Sequence, residues 1–177
     1  KQALMKEAGA DAANLTLASI RKIEATLASV EEVPGFLAFT YGKGTPTPLA
    51  IKQDLTGFVL FNRAVFGACV AYAPYAYYAG TRLFAPYAYK TEGKLEYMHL
   101  GEEYGYPNAD WFLIPSKLER PLWSEPYFDE GGGGAVMCTY SVPFHRDEDG
   151  RRRMLGVVTA DISLEWLREL VGHISIF

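Results

Sequence analysis

Apolar positions recur at steps of three and four from the first residues of the chain: Leu4, Ala8, Ala12, Leu15, Ser19, Ile23, Leu27 and Val30. That period predicts one long helix over residues 1 to about 32, filled out with good helix formers. At about 1.5 Å per residue the rod is roughly 50 Å long, longer than a compact domain of this size needs, so a projecting end or a dimer seam is expected. Pro34-Gly35 predicts its break, and the apolar run Phe36 to Tyr41 fits a helix or a strand. The spacing over Leu49 to Asn62 predicts a short second helix. From Val65 the texture changes to strand-like runs. These are Gly67 to Ala73, then Leu83 to Lys90 and Lys94 to Leu100 joined by the hairpin signal Thr91-Glu-Gly93. A short helix over Asn108 to Leu118 carries Trp111 and Phe112. Val136 to His145 and Met154 to Ile162 predict a second hairpin, followed by a helix over Ser163 to Val171 with Ser163 as N-cap. Helices, about five antiparallel strands with an inserted helix, and a final helix make an α+β domain with one antiparallel sheet.

The stretch 123 to 143 carries the candidate chemistry. Trp123, Glu125, Tyr127, Phe128 and Asp129 set aromatic rings beside acids, Gly131 to Gly134 turn the chain, and Ala135 to Val142 returns as a strand. Glycine lets backbone approach backbone or ligand closely, and apolar walls with a few placed polar groups are how a small-ligand pocket is built. A plain hairpin with aromatic packing is the competing reading.

Composition narrows the classes. With 177 residues, 49% of them hydrophobic, the chain is one packed domain. A net charge of -4 argues against a nucleic-acid binder. Cys69 and Cys138 are far apart and the three His are scattered, so no zinc pattern is present and no cofactor is expected. Both cysteines read as small buried hydrophobes. No window is apolar enough to span a membrane, and the arginine-rich tip around 146–153 reads as a solvated turn. Ser141 and His145 lie four apart on one strand, over about 12 Å by strand rise, which excludes a nucleophile–base pair. The abrupt apolar end, His173 to Phe177, fits a piece of a longer protein.

Six motifs in order carry a resemblance: Val65-Phe-Gly-Ala68, Phe84-Ala-Pro-Tyr87, Asp110-Trp-Phe112, Trp123-Ser-Glu-Pro-Tyr-Phe-Asp129, Met137-Cys-Thr-Tyr-Ser-Val-Pro143 and Gly156-Val-Val-Thr-Ala-Asp-Ile-Ser163. Together they resemble the Cache family of extracytoplasmic PAS-like sensor domains, found in bacterial histidine kinases, chemoreceptors and membrane-bound phosphatases. The resemblance implies a long helix (1–33) packed on a PAS-like sheet, a sensor module over 34–171, and the start of a membrane-proximal module at 172–177. It implies a periplasmic location, a membrane-anchored parent protein and a small-molecule ligand rather than catalysis; the length of the N-terminal helix, not the resemblance, is what suggests a homodimer through it. Carried over residue by residue, it assigns Tyr106 as the first aromatic, Trp111 and Phe112 as the aromatic pair, Tyr127 and Asp129 as Tyr-x-Asp, and Asp161 as the last-strand acid, with Trp123 and Tyr140 beside them.

The pattern's Arg position falls on Ala109, so the fork that grips a ligand carboxylate is missing. Two acids among aromatic faces suit an ammonium group. Two other roles compete: Asp129 capping the glycine turn and Asp161 capping the last helix. A small carboxylate held by backbone N–H groups or Arg82 is the alternative ligand, and ligand-free use as a dimerising or interaction module is a third reading.

Overall fold

The structure, a computed structural model, describes residues 2–172, with side chains described for residue 14 and for 16–169. Its elements are α1 (Gln2–Lys43), α2 (Pro48–Phe61), β1 (Gly67–Tyr72), β2 (Pro86–Thr91), β3 (Lys94–His99), α3 (Asp110–Leu118), β4 (Leu122–Trp123), β5 (Tyr127–Phe128), β6 (Val136–Glu148), β7 (Arg151–Ser163) and α4 (Leu164–Gly172). This is the expected α+β arrangement. The antiparallel sheet has seven strands rather than about five, in the order β3-β2-β1-β7-β6-β4, with β5 also on β6. The two extra strands, β4 and β5, are two residues each and line one edge of β6, too short to give a period of two.

The helix does not break at Pro34-Gly35. α1 runs through both to Lys43, so the boundary drawn at residue 33 falls inside an element. An internal proline removes a hydrogen bond and costs about 3 kcal/mol. Val30, Pro34, Leu37, Ala38 and Tyr41 fall on one face and are buried against the sheet, and burying side chains of this size is worth about 1.5–3 kcal/mol each. Packing therefore outweighs the proline. The first apolar positions of α1 and the segment 173–177 lie outside the described side chains and residues.

The sheet divides the core in two. On one face Val70, Tyr72, Val142, Phe144, Val158 and Ile162 pack under α1 and α2. On the other, Cys69, Ala71, Tyr87 and Val157 pack under Tyr106, Trp111 and Phe112. Along β6 and β7 alternate side chains serve alternate faces, so Met137, Thr139, Ser141, Thr159 and Asp161 point away from α1. The β2–β3 turn holds Glu92 and Gly93 at φ 48° and 76°, and the β6–β7 turn holds Asp149 and Gly150 at 50° and 76°. Two successive positive φ values make the tight hairpin turns that match strand twist. Both cysteines are free thiols.

Candidate functional site

The glycine run reverses the chain between β5 and β6, with Gly131, Gly133 and Gly134 at φ 94°, 126° and 65°. The Asp129 N–H donates to the Ala135 carbonyl at 3.0 Å, and the Gly134 N–H donates to the Asp129 carbonyl at 3.1 Å. This closed loop fixes the Asp129 backbone and turns its side chain inward. A Cβ at Gly132 would overlap Asp129 Oδ2, so the missing side chain at 132 is what makes room for the carboxylate. Asp129 is 6% exposed. Tyr104 donates its hydroxyl to Asp129 Oδ1 at 2.5 Å, and Trp111 Nε1 donates to the Tyr104 hydroxyl at 3.3 Å.

The second acid sits opposite, in the sheet. Thr139 and Asp161 are cross-strand partners on β6 and β7. Thr139 Oγ1 donates to Asp161 Oδ1 at 2.7 Å, and Tyr127 OH lies 2.8 Å from the same Oγ1. The Tyr87 hydroxyl, also buried, faces the Asp161 carboxyl without closing a hydrogen bond of good geometry. Ser163, not Asp161, caps α4 by accepting from the Trp166 N–H at 3.2 Å. Asp161 is thus spent on no local backbone role through its side chain.

Burial dominates the electrostatics, because a charge taken out of water destabilises its ionised form. It pushes the Asp161 carboxyl up to about 7, with the nearby Asp129 charge adding to the rise and the Thr139 and Tyr87 hydroxyls opposing it. Burial also raises Asp129, and the Tyr104 hydrogen bond opposes that rise. Tyr104, Tyr127 and Tyr87 are all pushed well up by burial beside these acids. They are neutral hydroxyls at any physiological pH.

A cavity of about 580 Å³ opens onto this cluster. Its walls include Tyr104, Trp111, Tyr127, Phe128 and Asp129, while Asp161, joined to Tyr127 through Thr139, is not part of the lining. A larger groove of about 990 Å³ runs between Phe66, Gly134 and α4, but it is floored by no buried acid. Chemistry rather than size marks the site.

Among the residues expected from the sequence, the structure brings Trp111, Tyr127, Asp129 and Asp161 together. Phe112 is buried behind Trp111, their ring centres 6.1 Å apart. Two expectations, Tyr106 and Tyr140, are corrected. Tyr106 is fully buried, donates its hydroxyl to the Tyr72 carbonyl at 2.5 Å and accepts from the Phe84 N–H at 3.2 Å. It is core, and Tyr104, two residues earlier in the same Tyr-Gly-Tyr run, is the aromatic that reaches Asp129. Tyr140 points to the α1 face, where its ring lies 5.2 Å from that of Trp123. Trp123 lies in the cavity lining, and its Nε1 donates to Glu31 Oε1 of α1 at 2.7 Å. Sequence reasoning missed Tyr87, Tyr104 and Thr139. Ser141 Oγ and His145 Nε2 are each buried without a partner, so they do not bond each other. No group of metal-ligating side chains is found among the described residues, and no described helix is long and apolar enough to cross a membrane.

Comparison with solved structures gives the same architecture. The extracellular domain of a protein named as a histidine kinase, soHK1S-Z6, superposes with a TM-score of 0.76 at 28% identity, over 87% of this chain and 59% of that one. The ligand-binding domain of the Pseudomonas aeruginosa PAO1 amino acid chemoreceptor PctC, in complex with GABA, gives 0.58 at 18% identity over 85% and 63%. The ligand-binding domain of the Campylobacter jejuni chemoreceptor Tlp3, in complex with L-valine, gives 0.62 at 16% over 89% and 60%. The chain spans about six tenths of the length of these chains. No curated protein sequence matches it. The sequence model of the methyl-accepting chemotaxis protein-like first PDC sensor domain matches residues 51–169, and the chain belongs to this family of sensor domains.

Proposed function

We propose that this sensor domain binds an amine in the cavity beside Asp129 and Asp161, as the extracytoplasmic module of a bacterial transmembrane receptor. One observation carries the ligand class: the buried acid Asp129 lines a cavity walled by aromatic rings, a second buried acid, Asp161, is linked through Thr139 to the wall residue Tyr127, and none of the described residues lining the cavity is Lys, Arg or His. A buried carboxylate is costly unless paired. An ammonium group supplies the pair, and ring faces add about 0.5–2 kcal/mol of attraction. A ligand carboxylate would meet like charge at Asp129 and no cationic fork, because the fork position is Ala109. Arg82, the other candidate clamp, is paired with Glu102 at the surface and lines no part of the cavity.

The location rests on likeness to domains named as extracellular or as chemoreceptor ligand-binding domains. The output module of the parent receptor is a kinase, a chemoreceptor or a phosphatase. In the signalling step, ammonium binding draws the glycine loop and the Asp110–Phe112 end of α3 onto the sheet. The Asp161 end of β7 leads directly through Ser163 into α4, so closure at the acid displaces α4 relative to α1. The ligand shifts this equilibrium only by its differential affinity for the two states. A homodimer through α1 fits the exposed Leu17, Ile20, Phe36 and Phe39 on that helix.

A thermal-shift screen of the purified chain against amines, amino acids and small carboxylates tests the reading, since a ligand that binds only the folded state raises Tm. Amines are expected to raise Tm. Stabilisation confined to carboxylates would overturn the amine assignment.

A further inference from the structure

We propose that the domain carries a second small-molecule site, on the α1 face of the sheet, that takes one uncharged aromatic ring; the proposal stands independently of the amine reading. A cavity of about 220 Å³ lies where α1, the sheet and α4 meet. α1 contributes Ile23 and Leu27, α4 contributes Leu164 and Leu167, and the sheet contributes Trp123 and Cys138. None of the described residues lining it is charged. The four aliphatic side chains are half-buried rather than buried, so each keeps apolar surface that a guest takes out of water.

The polar groups of the wall point to the same ligand class. Trp123 Nε1 donates to Glu31 Oε1 at 2.7 Å, Ser124 Oγ accepts from the Thr139 N–H at 3.0 Å, and Ser163 Oγ accepts from the Trp166 N–H at 3.2 Å. Each is already engaged in the fold. Burial and the Glu125 charge raise the Cys138 thiol, which keeps that wall neutral. An ordered water needs about two to four polar partners, whereas an apolar cavity of about 150 Å³ stays dry and takes up benzene. A space of about 220 Å³ suits one ring with a short alkyl substituent and is too small for a strand or helix of a partner. The Trp123 indole favours an aromatic guest, because rings pair edge-on or offset beyond their area burial. A ring seated here touches both α1 and α4. Trp123 also lines the Asp129 cavity, so the guest is a second input to the same pair of helices.

Cys138 reports on the site directly. It lines the cavity and is half-buried, while the other thiol, Cys69, is buried in the core of the opposite face. Alkylation of the 177-residue chain by N-ethylmaleimide, read at Cys138 by mass spectrometry, is followed with benzene, toluene, indole, benzylamine and benzoate. Toluene at ten times its Kd is expected to slow the reaction about tenfold and to raise Tm, by mass action. It is expected to bind about fourfold tighter than benzene, the effect of one buried methyl group. Benzylamine and benzoate would bury an unpaired charge, and they are expected to leave the Cys138 rate unchanged. Leu167→Trp and, from the other helix, Ile23→Phe fill the cavity from half-buried positions, and each should remove the toluene-induced rise in Tm; far-UV circular dichroism checks that both fold. Failure of every uncharged ring to protect Cys138, equal protection by the charged rings, or a Tm rise that survives in a folded filled variant would overturn the proposal. Protection that grows with protein concentration and needs no guest would assign the cavity to a second copy of the chain and overturn it too.

Discussion

Replacing Asp161 by Asn isolates the energetic cost that the ligand is proposed to relieve. Asp161 is almost wholly buried, and its carboxyl is raised from 3.8 to about 7, first by burial and then by the Asp129 charge. A carboxyl with a higher pKa in the folded state keeps a proton that the unfolded chain releases. Its contribution is full below about pH 4 and is lost as pH rises toward and through 7. At 1.36 kcal/mol per pK unit, the whole loss is about 4 kcal/mol, and about 3 kcal/mol of it falls between pH 5 and 8. Asparagine is a neutral isostere that keeps an oxygen for the Thr139 hydroxyl and presents an N–H donor to the Tyr87 oxygen that faces it. Burial holds His99 and His145 below their ordinary value, which works in the opposite direction with pH, so the informative quantity is the difference between the two proteins. Urea unfolding at pH 5, 6, 7 and 8 should show the variant gaining on the parent steadily, to about 4 kcal/mol at pH 8. A total of that size is a large share of the 5–15 kcal/mol that holds a typical domain together. A pH-independent difference, or a variant less stable than the parent at pH 8, would refute the claim that burial raises the Asp161 carboxyl to about 7 and makes its ionisation costly in the free domain.

Three further outcomes follow from the geometry. Tyr104→Phe removes the 2.5 Å hydrogen bond to Asp129, so it should raise the Asp129 pKa further. It should also weaken amine binding by about tenfold near neutral pH, with less loss at pH 8.5, as read by calorimetry across pH; such a charge-assisted bond is worth about 1.5–3 kcal/mol. Gly132→Ala drives a methyl into Asp129 Oδ2 and should cost about 1–3 kcal/mol in urea unfolding together with amine affinity, whereas Gly57→Ala, open in the middle of α2, should stabilise by about 1 kcal/mol. Glu31→Ala leaves the Trp123 indole N–H without its acceptor and should destabilise by about 1 kcal/mol, with amine affinity unchanged in the same titration.

The elements with a strong local period were legible. The two long hairpin strands, the inserted helix and the final capped helix lie where alternation, glycine turns and Ser163 placed them. The helix end was not, because a proline signal is local while the burial of Leu37, Ala38 and Tyr41 is tertiary. At the site, the acid before the glycine run marked Asp129 as a candidate, but the room that Gly132 leaves for its carboxylate was not legible in the sequence. The pairing of Asp161 with Thr139 was hidden by a bulge between Phe144 and His145. Counted back from the Asp149-Gly150 turn without that bulge, Thr139 would face Ala160, one residue short of the acid, and nothing in the sequence announces the extra residue. Tyr104 and Tyr106 are equivalent by composition. They differ only in that Gly105 takes φ 64° between them, with one ring in the core and the other at the acid. Tyr140 was misplaced for the complementary reason: its aromatic character fits a cavity and a helix–sheet seam equally well, and the β6 pleat decides for the seam.

The central claim is that Asp129 receives a ligand cation in this cavity. Side-by-side titration of the parent chain and Asp129→Asn with butane-1,4-diamine and with butyrate tests it most directly, with urea melts confirming that both are folded. The account predicts diamine binding to the parent, a loss of at least about tenfold in Asp129→Asn, and no binding of butyrate to the parent. Butyrate binding, or diamine affinity indifferent to the Asn substitution, would contradict it.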